Sequence, residues 1–252
     1  MSRKGIDVSK WQGAINWPLV KQDGIEFAMI RVGYGSSSGD SCVLDPRFHE
    51  NVAGALSVGI EVGIYLYSYA KSPQAAQKEA QFVLDYIAPY SGKLAYPIVF
   101  DIEDNSQKKL GKATITAMVE AFCSTIEKSG YYASFYANLD WCKNYLDMNT
   151  LKKYDLWLAH WTDNPSKAYP YGMWQYTSKG AVNGISGRVD MNIAYKDYGK
   201  IIRDAGLNGF GKAPVDPEKE QLIKKVEELE KTVQRMKAGL ASIEQIAASA
   251  RQ

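Results

Sequence analysis

Histidine is almost missing from this sequence. Only His49 and His160 occur in 252 residues, which excludes a histidine-rich metal centre and leaves little scope for imidazole acid–base chemistry. Cysteine is scarce too. Cys42, Cys123 and Cys142 are scattered and form no CxxC pair, so no disulfide framework is expected, and Cys123 reads as core in an apolar helical run. No stretch approaches the ~20 apolar residues needed to cross a bilayer. The start, MSRKGIDVSKW, holds no apolar run long enough for a secretory signal, so synthesis in the cytoplasm without export by the general route is expected. Neither sign of charge dominates: 30 Lys and Arg stand against 28 Asp and Glu, which argues against nucleic acid as a partner. No GxGxxG or GxxxxGK[ST] phosphate loop is present. No cofactor, no metal and no membrane partner are expected.

Apolar and aromatic residues are plentiful. The sequence is 46% hydrophobic, with 17 Tyr and 6 Trp, enough for a large core. Such rings serve either as core or as flat platforms with a polar edge, as in a carbohydrate groove.

Strand-like and helix-like runs alternate over the first 150 residues or so. GIDVS (5–9), FAMIRVG (27–33), VGIYLYSYA (62–70), YPIVFDIE (96–103) and YASFYAN (132–138) read as strands. Helices are expected near 17–23, over 45–59 with Asp45 as N-cap before Pro46, from Ser72 to Ile87, over 114–130, and around 139–147. The rhythm then changes. LWLAHW (156–161), GMWQYTS (172–178) and GRVDMN (187–192) are strands joined by loops, before a last helix over 195–205. The fold class is α/β: five βα units and three further strands predict an irregular (β/α) barrel, with an open doubly wound sheet as the alternative.

One strand ends in a burst of acids: YPIVFDIEDN carries Asp101, Glu103 and Asp104. Residues two apart on a strand face the same side, so Asp101 and Glu103 share a face with Cα atoms ~6–7 Å apart. Asp7 ends the first strand and Asp190 the last; in a closed barrel these strands are neighbours, with the fourth strand across from them. The four acids would then face one bowl at the C-terminal ends of the strands, rimmed by Tyr65, Tyr67, Trp161 and Trp174. Crowded carboxylates raise one another's pKa, leaving an acid beside a base, as glycosidic cleavage needs. A hard cation in a carboxylate cage and plain solvated strand ends are the competing uses.

GIDVSKWQGAINW, FAMIRVGYG, VGIYLYSYA, FDIE and WQY…GRVDMN, in this order over residues 1–205, resemble glycoside hydrolase family 25, the N-acetylmuramidase lysozymes of bacteriophages and bacteria. The resemblance implies a β/α barrel that cleaves the β-1,4 bond between N-acetylmuramic acid and N-acetylglucosamine in bacterial peptidoglycan. By position it implies Glu103 as general acid and Asp101 as its partner carboxylate, nucleophile or orienting group. It implies Asp7 and Asp190 as the rest of the acidic cluster and Tyr65 as the tyrosine beside the sugar. Tyr65-Leu66-Tyr67 stands where many relatives have Tyr-His-Phe, which puts that wall of the site in question. Tyr67, Arg31, Trp161 and Gln175 are further substrate-binding candidates, the last three equally readable as barrel packing.

The expected domains are the catalytic barrel over 1–207, a linker over 208–218 rich in Gly and Pro, and a helical segment over 219–252. In that segment Leu222, Val226, Leu229, Val233, Met236, Leu240 and Ile243 recur at steps of four and three, a heptad seam. Valine at a and leucine at d favour a parallel pair, so a homodimer or higher homo-oligomer through residues 219–250 is expected. A hairpin turning at Ala238-Gly239, which forms a small bundle or binds the wall, and docking of the segment on the barrel are the alternatives. Together these features suggest a phage-type lytic enzyme that reaches the wall after holin-mediated release or lysis; a non-catalytic glycan-binding barrel displayed by the coil is the second reading.

Overall fold

The computed structural model describes residues 2–211 and, beyond them, Lys225, Glu228, Leu229, Thr232, Val233, Arg235, Met236 and Gly239. The chain divides into two compact units, 1–211 and 212–252.

The first unit is built on nine strands in the order β1-β9-β8-β7-β6-β5-β4-β2-β3, and β1 also pairs with β2, which closes eight of them into a barrel. These are β1 (Arg3–Val8), β2 (Phe27–Tyr34), β4 (Glu61–Tyr67), β5 (Ile98–Asp101), β6 (Ala133–Asn138), β7 (Asp155–Ala159), β8 (Met173–Gly180) and β9 (Val189–Ala194). The short β3 (Val43–Leu44), not anticipated from the sequence, hangs antiparallel on β2. The helices are α1 (Trp17–Gln22), α2 (Phe48–Ser57), α3 (Pro73–Ile87), α4 (Lys112–Lys128), α5 (Leu139–Asn144), α6 (Met148–Leu151) and α7 (Tyr198–Asp204).

Two expectations need correction. β9 runs antiparallel to both β8 and β1, because the link between β8 and β9 is too short to carry a crossover helix. Asp190 therefore lies at the start of its strand rather than the end, and the reversal is what brings it to the same face as the ends of the parallel strands. Nor does Asp45 cap α2, whose N-cap is Arg47 without a side-chain cap bond. Asp45 is buried and accepts from Arg31 Nε (2.9 Å) and Nη2 (2.7 Å) and from the Lys10 amide (3.0 Å). Its other oxygen, Oδ1, accepts from the Arg47 amide at 2.9 Å, so Asp45 closes the turn before the helix while Oδ2 holds the guanidinium.

Strand alternation splits the core in two. Ile6, Ile30, Ile64, Leu66, Phe100 and Phe135 pack outward against helix residues such as Ala76, Val83, Val119 and Phe122. Phe27, Met29, Tyr65, Tyr96, Val99, Tyr136, Trp157 and Met173 fill the barrel interior. Phe27 and Tyr96 stack at 4.4 Å near its lower end. Gly5 and Gly63 make room for them: a Cβ at Gly5 would lie 2.4 Å from the Phe27 ring, and one at Gly63 2.6 Å from Tyr96 Cβ.

The chain stays in the barrel unit past 207, through Gly211. Asn208, at φ 53°, is fully buried. Its side chain accepts from the Tyr132 amide (2.8 Å) and donates to the Leu94 (2.8 Å) and Tyr96 (3.0 Å) carbonyls. In the second unit the eight described residues are helical and exposed, and Thr232 Oγ1 donates to the Glu228 carbonyl at 2.8 Å. Leu222, Val226, Leu240, Ile243 and Ala238 lie outside the described residues.

Asn208→Ala should lower stability by about 2–4 kcal/mol, because three buried backbone groups lose their partner at once. Urea unfolding checks it; an unchanged midpoint would mean that 208–211 only drapes over the barrel.

Candidate active site

The C-terminal ends of the parallel strands open into a cleft of about 220 Å³. Asp7 comes from β1, Asp101 from the last position of β5 and Asp190 from the start of β9; Glu103 follows two residues after Asp101. All four acids line this cleft, with Arg31, Tyr65, Tyr67 and Gln175. Alternation works as expected across the strand end: Ile102 between the acids is fully buried in the outer core. Asp104 does something else. It caps the 3-10 turn Asn105–Leu110 by accepting from the Ser106 amide (2.9 Å), and it accepts from the Tyr67 hydroxyl (3.3 Å).

Asp7 and Asp190 are paired directly across β1 and β9, which puts their Cα atoms within ~4.5–5.5 Å. Burial, and then the charge of Asp190, push Asp7 well above the ordinary carboxylate range. Gln175 Nε2 (2.9 Å) and Asn192 Nδ2 (2.8 Å) both donate to Asp7 Oδ2 and act in the opposite sense. Asp7 is also hydrogen-bonded to Asp190, and two carboxyl groups can share such a bond only when one of them carries a proton. Trp157 Nε1 in turn fixes Asn192 Oδ1 at 2.8 Å.

Asp101 is also pushed well up, by burial, then by the charges of Glu103 and Asp7, with Arg31 opposing. Its Oδ1 is buried without a hydrogen-bond partner. Glu103 is raised to about 7, by burial first and then by the Asp190 charge; a hydrogen bond to Tyr136 opposes this. Tyr136 donates to Gln175 Oε1 at 3.0 Å. Its single hydroxyl hydrogen cannot serve both, so a protonated Glu103 donates to the Tyr136 oxygen, and an ionised Glu103 accepts the Tyr136 hydrogen bond in place of Gln175. Tyr65, itself pushed well up by burial and then by Asp7, stays a neutral donor in the wall.

Trp161 stands at the edge, 61% exposed, in an adjoining hollow with Glu103 and Tyr136, and its Nε1 donates to Gln175 Oε1 at 3.0 Å. Trp174 is not on the rim. It faces outward on β8, nearly buried, with Nε1 bonded to the His160 carbonyl at 2.8 Å; alternation gives the inward position to Gln175. Arg31 lines the cleft, but its charge is committed to Asp45 at 2.7 Å. Leu66, where a histidine was missed, is fully buried in the outer core between two cleft residues. Its side chain does not reach the sugar-facing wall at all.

The sequence reading passed over Ser9, Trp11, Gln12, Tyr136, Trp157 and Asn192. Asn192 could have been found: it lies two residues from Asp190 on one strand, the spacing that picked out Asp101 and Glu103. Tyr136 needed the register, which sets it directly beside Asp101. Trp11 and Gln12 sit on a 3-10 turn after β1, capped by Ser9, where no periodicity betrays which way a side chain points.

Among the described residues no group of three or more His, Cys, Asp or Glu side chains is placed to hold a metal ion. Glu103 is raised to about 7 and its charge helps raise Asp101, whose Oδ1 is unengaged, so the pair offers a retained proton beside an ionisable carboxyl. That is a proton donor next to a charge-stabilising or nucleophilic group.

Known proteins place this arrangement. The family model for glycosyl hydrolases family 25 matches residues 6–185. Lysozyme M1 of Streptomyces globisporus is 31% identical over 206 residues, covering 75% of this chain and 66% of that protein. The autolytic lysozyme of Clostridium acetobutylicum is 28% identical over 210 residues, covering 82% of this chain and 61% of that protein. The CTP1L endolysin structure superposes with a TM-score of 0.69 at 26% identity, covering 80% of this chain and 70% of that one. The chain thus spans somewhat under two thirds of the length of the two lysozymes. With the barrel, the acidic cluster and a family match over most of the first unit, the chain belongs to glycosyl hydrolases family 25.

Proposed function

We propose that the protein hydrolyses bacterial peptidoglycan at the β-1,4 bond between N-acetylmuramic acid and N-acetylglucosamine. The observation that carries this is Glu103, held to about 7 beside Asp101, whose buried Oδ1 has no hydrogen-bond partner among the described residues. Glu103 protonates the leaving glycosidic oxygen as the bond lengthens, and its pKa lies where a group can both hold and release a proton near neutrality. Asp101 meets the positive charge that grows at the anomeric carbon, as nucleophile or by orienting the substrate's own N-acetyl oxygen. Water then attacks, with Glu103, now ionised, as the base. Asp7 and Asp190, sharing a proton, keep the floor of the cleft polar without adding two full charges, and Tyr65 and Arg31 line the sugar's path.

The similarity to lysozymes and to an endolysin supports this reading, and the endolysin supports a phage lytic role in which holin release or lysis delivers the enzyme to the wall. Peptidoglycan digestion followed by mass spectrometry of the new reducing ends tests the activity. Muramic acid should appear at the reducing end; glucosamine there, or a free peptide amine, would overturn it. Glu103→Gln should cut the rate by ~10²–10⁴-fold with the fold retained, and Asp101→Asn comparably. A near wild-type rate for Glu103→Gln would show that Glu103 is not the acid.

Residues 219–250 are proposed to pair copies of the chain through the heptad seam. The support is that Leu229, Val233 and Met236, three seam positions, are helical and 58%, 48% and 63% exposed in the single chain. A lone amphipathic helix in water is only marginally stable without a partner for such a stripe. Two barrels on one stalk would hold a repeating polymer with avidity. Light scattering should give a dimer or larger species at micromolar concentration for the full chain and a monomer for a chain ending at Gly211. A monomeric full-length chain would rule out the pairing and leave the hairpin or the docked helix.

A further inference from the structure

Beside the catalytic cleft lies a second hollow of about 440 Å³, lined by Lys10, Trp11, Arg31, Tyr34, Tyr67 and Tyr69. It is continuous with the first through Trp11, Arg31 and Tyr67, which line both. The exposed faces here are aromatic: Trp11 is 75% and Tyr69 37% exposed. Tyr69 leans on Tyr67 at 5.1 Å and meets Tyr34 edge-on at 6.2 Å. The loop carrying Tyr69 is braced from below by the buried Glu79, which accepts from Ser68 Oγ (2.7 Å) and the Tyr69 amide (3.2 Å). Gly35 leaves the room that Glu79 occupies, since a Cβ there would overlap its carboxyl group. These rings are held as a shelf.

The charge on this shelf is unusual for the surroundings. Arg31 is neutralised by Asp45. Lys10 is not: its ammonium sits 4.9 Å from the Trp11 ring centroid and, among the described residues, meets no carboxylate. An unpaired cation thus stands over an aromatic platform at the mouth of a cleft whose other end holds Asp7, Asp101, Glu103 and Asp190. An anionic substituent on a bound polymer is repelled from the acids and drawn to the Lys10 ammonium. Exposed rings with a polar edge take sugar faces, and a lysine ammonium takes a carboxylate as a point charge.

We propose that Lys10 and Trp11 form a subsite that recognises a carboxylate-bearing substituent of the glycan, with Trp11 and Tyr69 against a sugar ring and Lys10 paired to the carboxylate. The subsite fixes which way round the polymer enters the cleft. This rests on the peptidoglycan reading above. The carboxylate has two sources in such a polymer: the lactyl ether on the muramic ring, or the peptide stem attached to it.

Three soluble substrates separate the cases: glycan strands bearing stem peptides, strands stripped of peptide with free lactyl carboxylates, and stripped strands whose carboxylates are converted to neutral amides. The variants are Lys10→Met, which keeps the stem over Trp11, and Lys10→Glu. On the charged strands KM should rise about threefold for Lys10→Met and about tenfold for Lys10→Glu, with kcat within about twofold, since an exposed pair contributes modestly and steers binding. The loss should shrink towards ~1 M salt, where the Debye length falls to ~3 Å. On the neutral amide strands the variants should match wild type. A rise confined to peptide-bearing strands assigns the carboxylate to the stem; a rise on stripped strands as well assigns it to the lactyl group. Unchanged KM on both charged substrates, or an equal rise on the neutral one, overturns the subsite while wild-type cleavage leaves the function reading standing. Wild-type protein that cleaves none of the three removes both.

Discussion

Four carboxyl groups are brought together at the mouth of a closed barrel and kept largely out of water. The rest of the site follows from that constraint. In water such acids would ionise and drift apart; here the strands fix their positions, and burial makes each charge expensive. Arg31 opposes the rise at Asp101, but its own charge is committed to Asp45. The protein answers with amides instead: Gln175 and Asn192 donate to Asp7, and Tyr136 and Trp161 converge on Gln175. The crowding has a cost in stability. The pKa of Glu103 rises from 4.5 to about 7 in the folded chain, so the folded state holds this proton more tightly than the unfolded state between those values. Its contribution therefore grows less favourable as pH rises through that window.

The barrel supplies the geometry by simple alternation. On β4, Tyr65 and Tyr67 reach the cleft while Leu66 enters the outer core; after β5, Asp101 and Glu103 do the same around Ile102. Closure adds what alternation cannot. The reversal of β9 sets Asp190 against Asp7, joining acids 183 positions apart in the sequence into a proton-sharing pair. At the other end of the barrel Phe27 and Tyr96 fill the interior, so the cleft is a bowl rather than a pore.

Much of this was legible in the sequence, because period-two alternation and βα rhythm are local signals. The strands, the helices of the first five units and the convergence of Asp7, Asp101, Glu103 and Asp190 could all be read before any coordinates. What escaped depends on partners distant in sequence. The direction of β9 is decided by a link with no helix in it, and a strand carries no mark of its direction. Asp45 reads as a helix cap from its neighbour Pro46, but Arg31, across the β2–β3 corner, claims it. Trp174 and Gln175 are adjacent, and which one faces the cleft depends on a register that only the closed sheet sets. The family resemblance implies roles for the acids, and its departure at Leu66 leaves the cleft untouched, since that side chain is buried in the outer core.

The central claim is that the acid cluster holds the Glu103 carboxyl protonated close to neutral pH. NMR titration of the protein carrying 13C-labelled glutamate carboxyls, with Glu103→Gln used to assign the resonance, measures it directly. The account predicts a resonance that moves near pH 7 and that shifts to lower pH in Asp190→Asn because one raising charge is gone. A Glu103 that titrates at the ordinary glutamate value of 4.5, and is indifferent to Asp190, would contradict it.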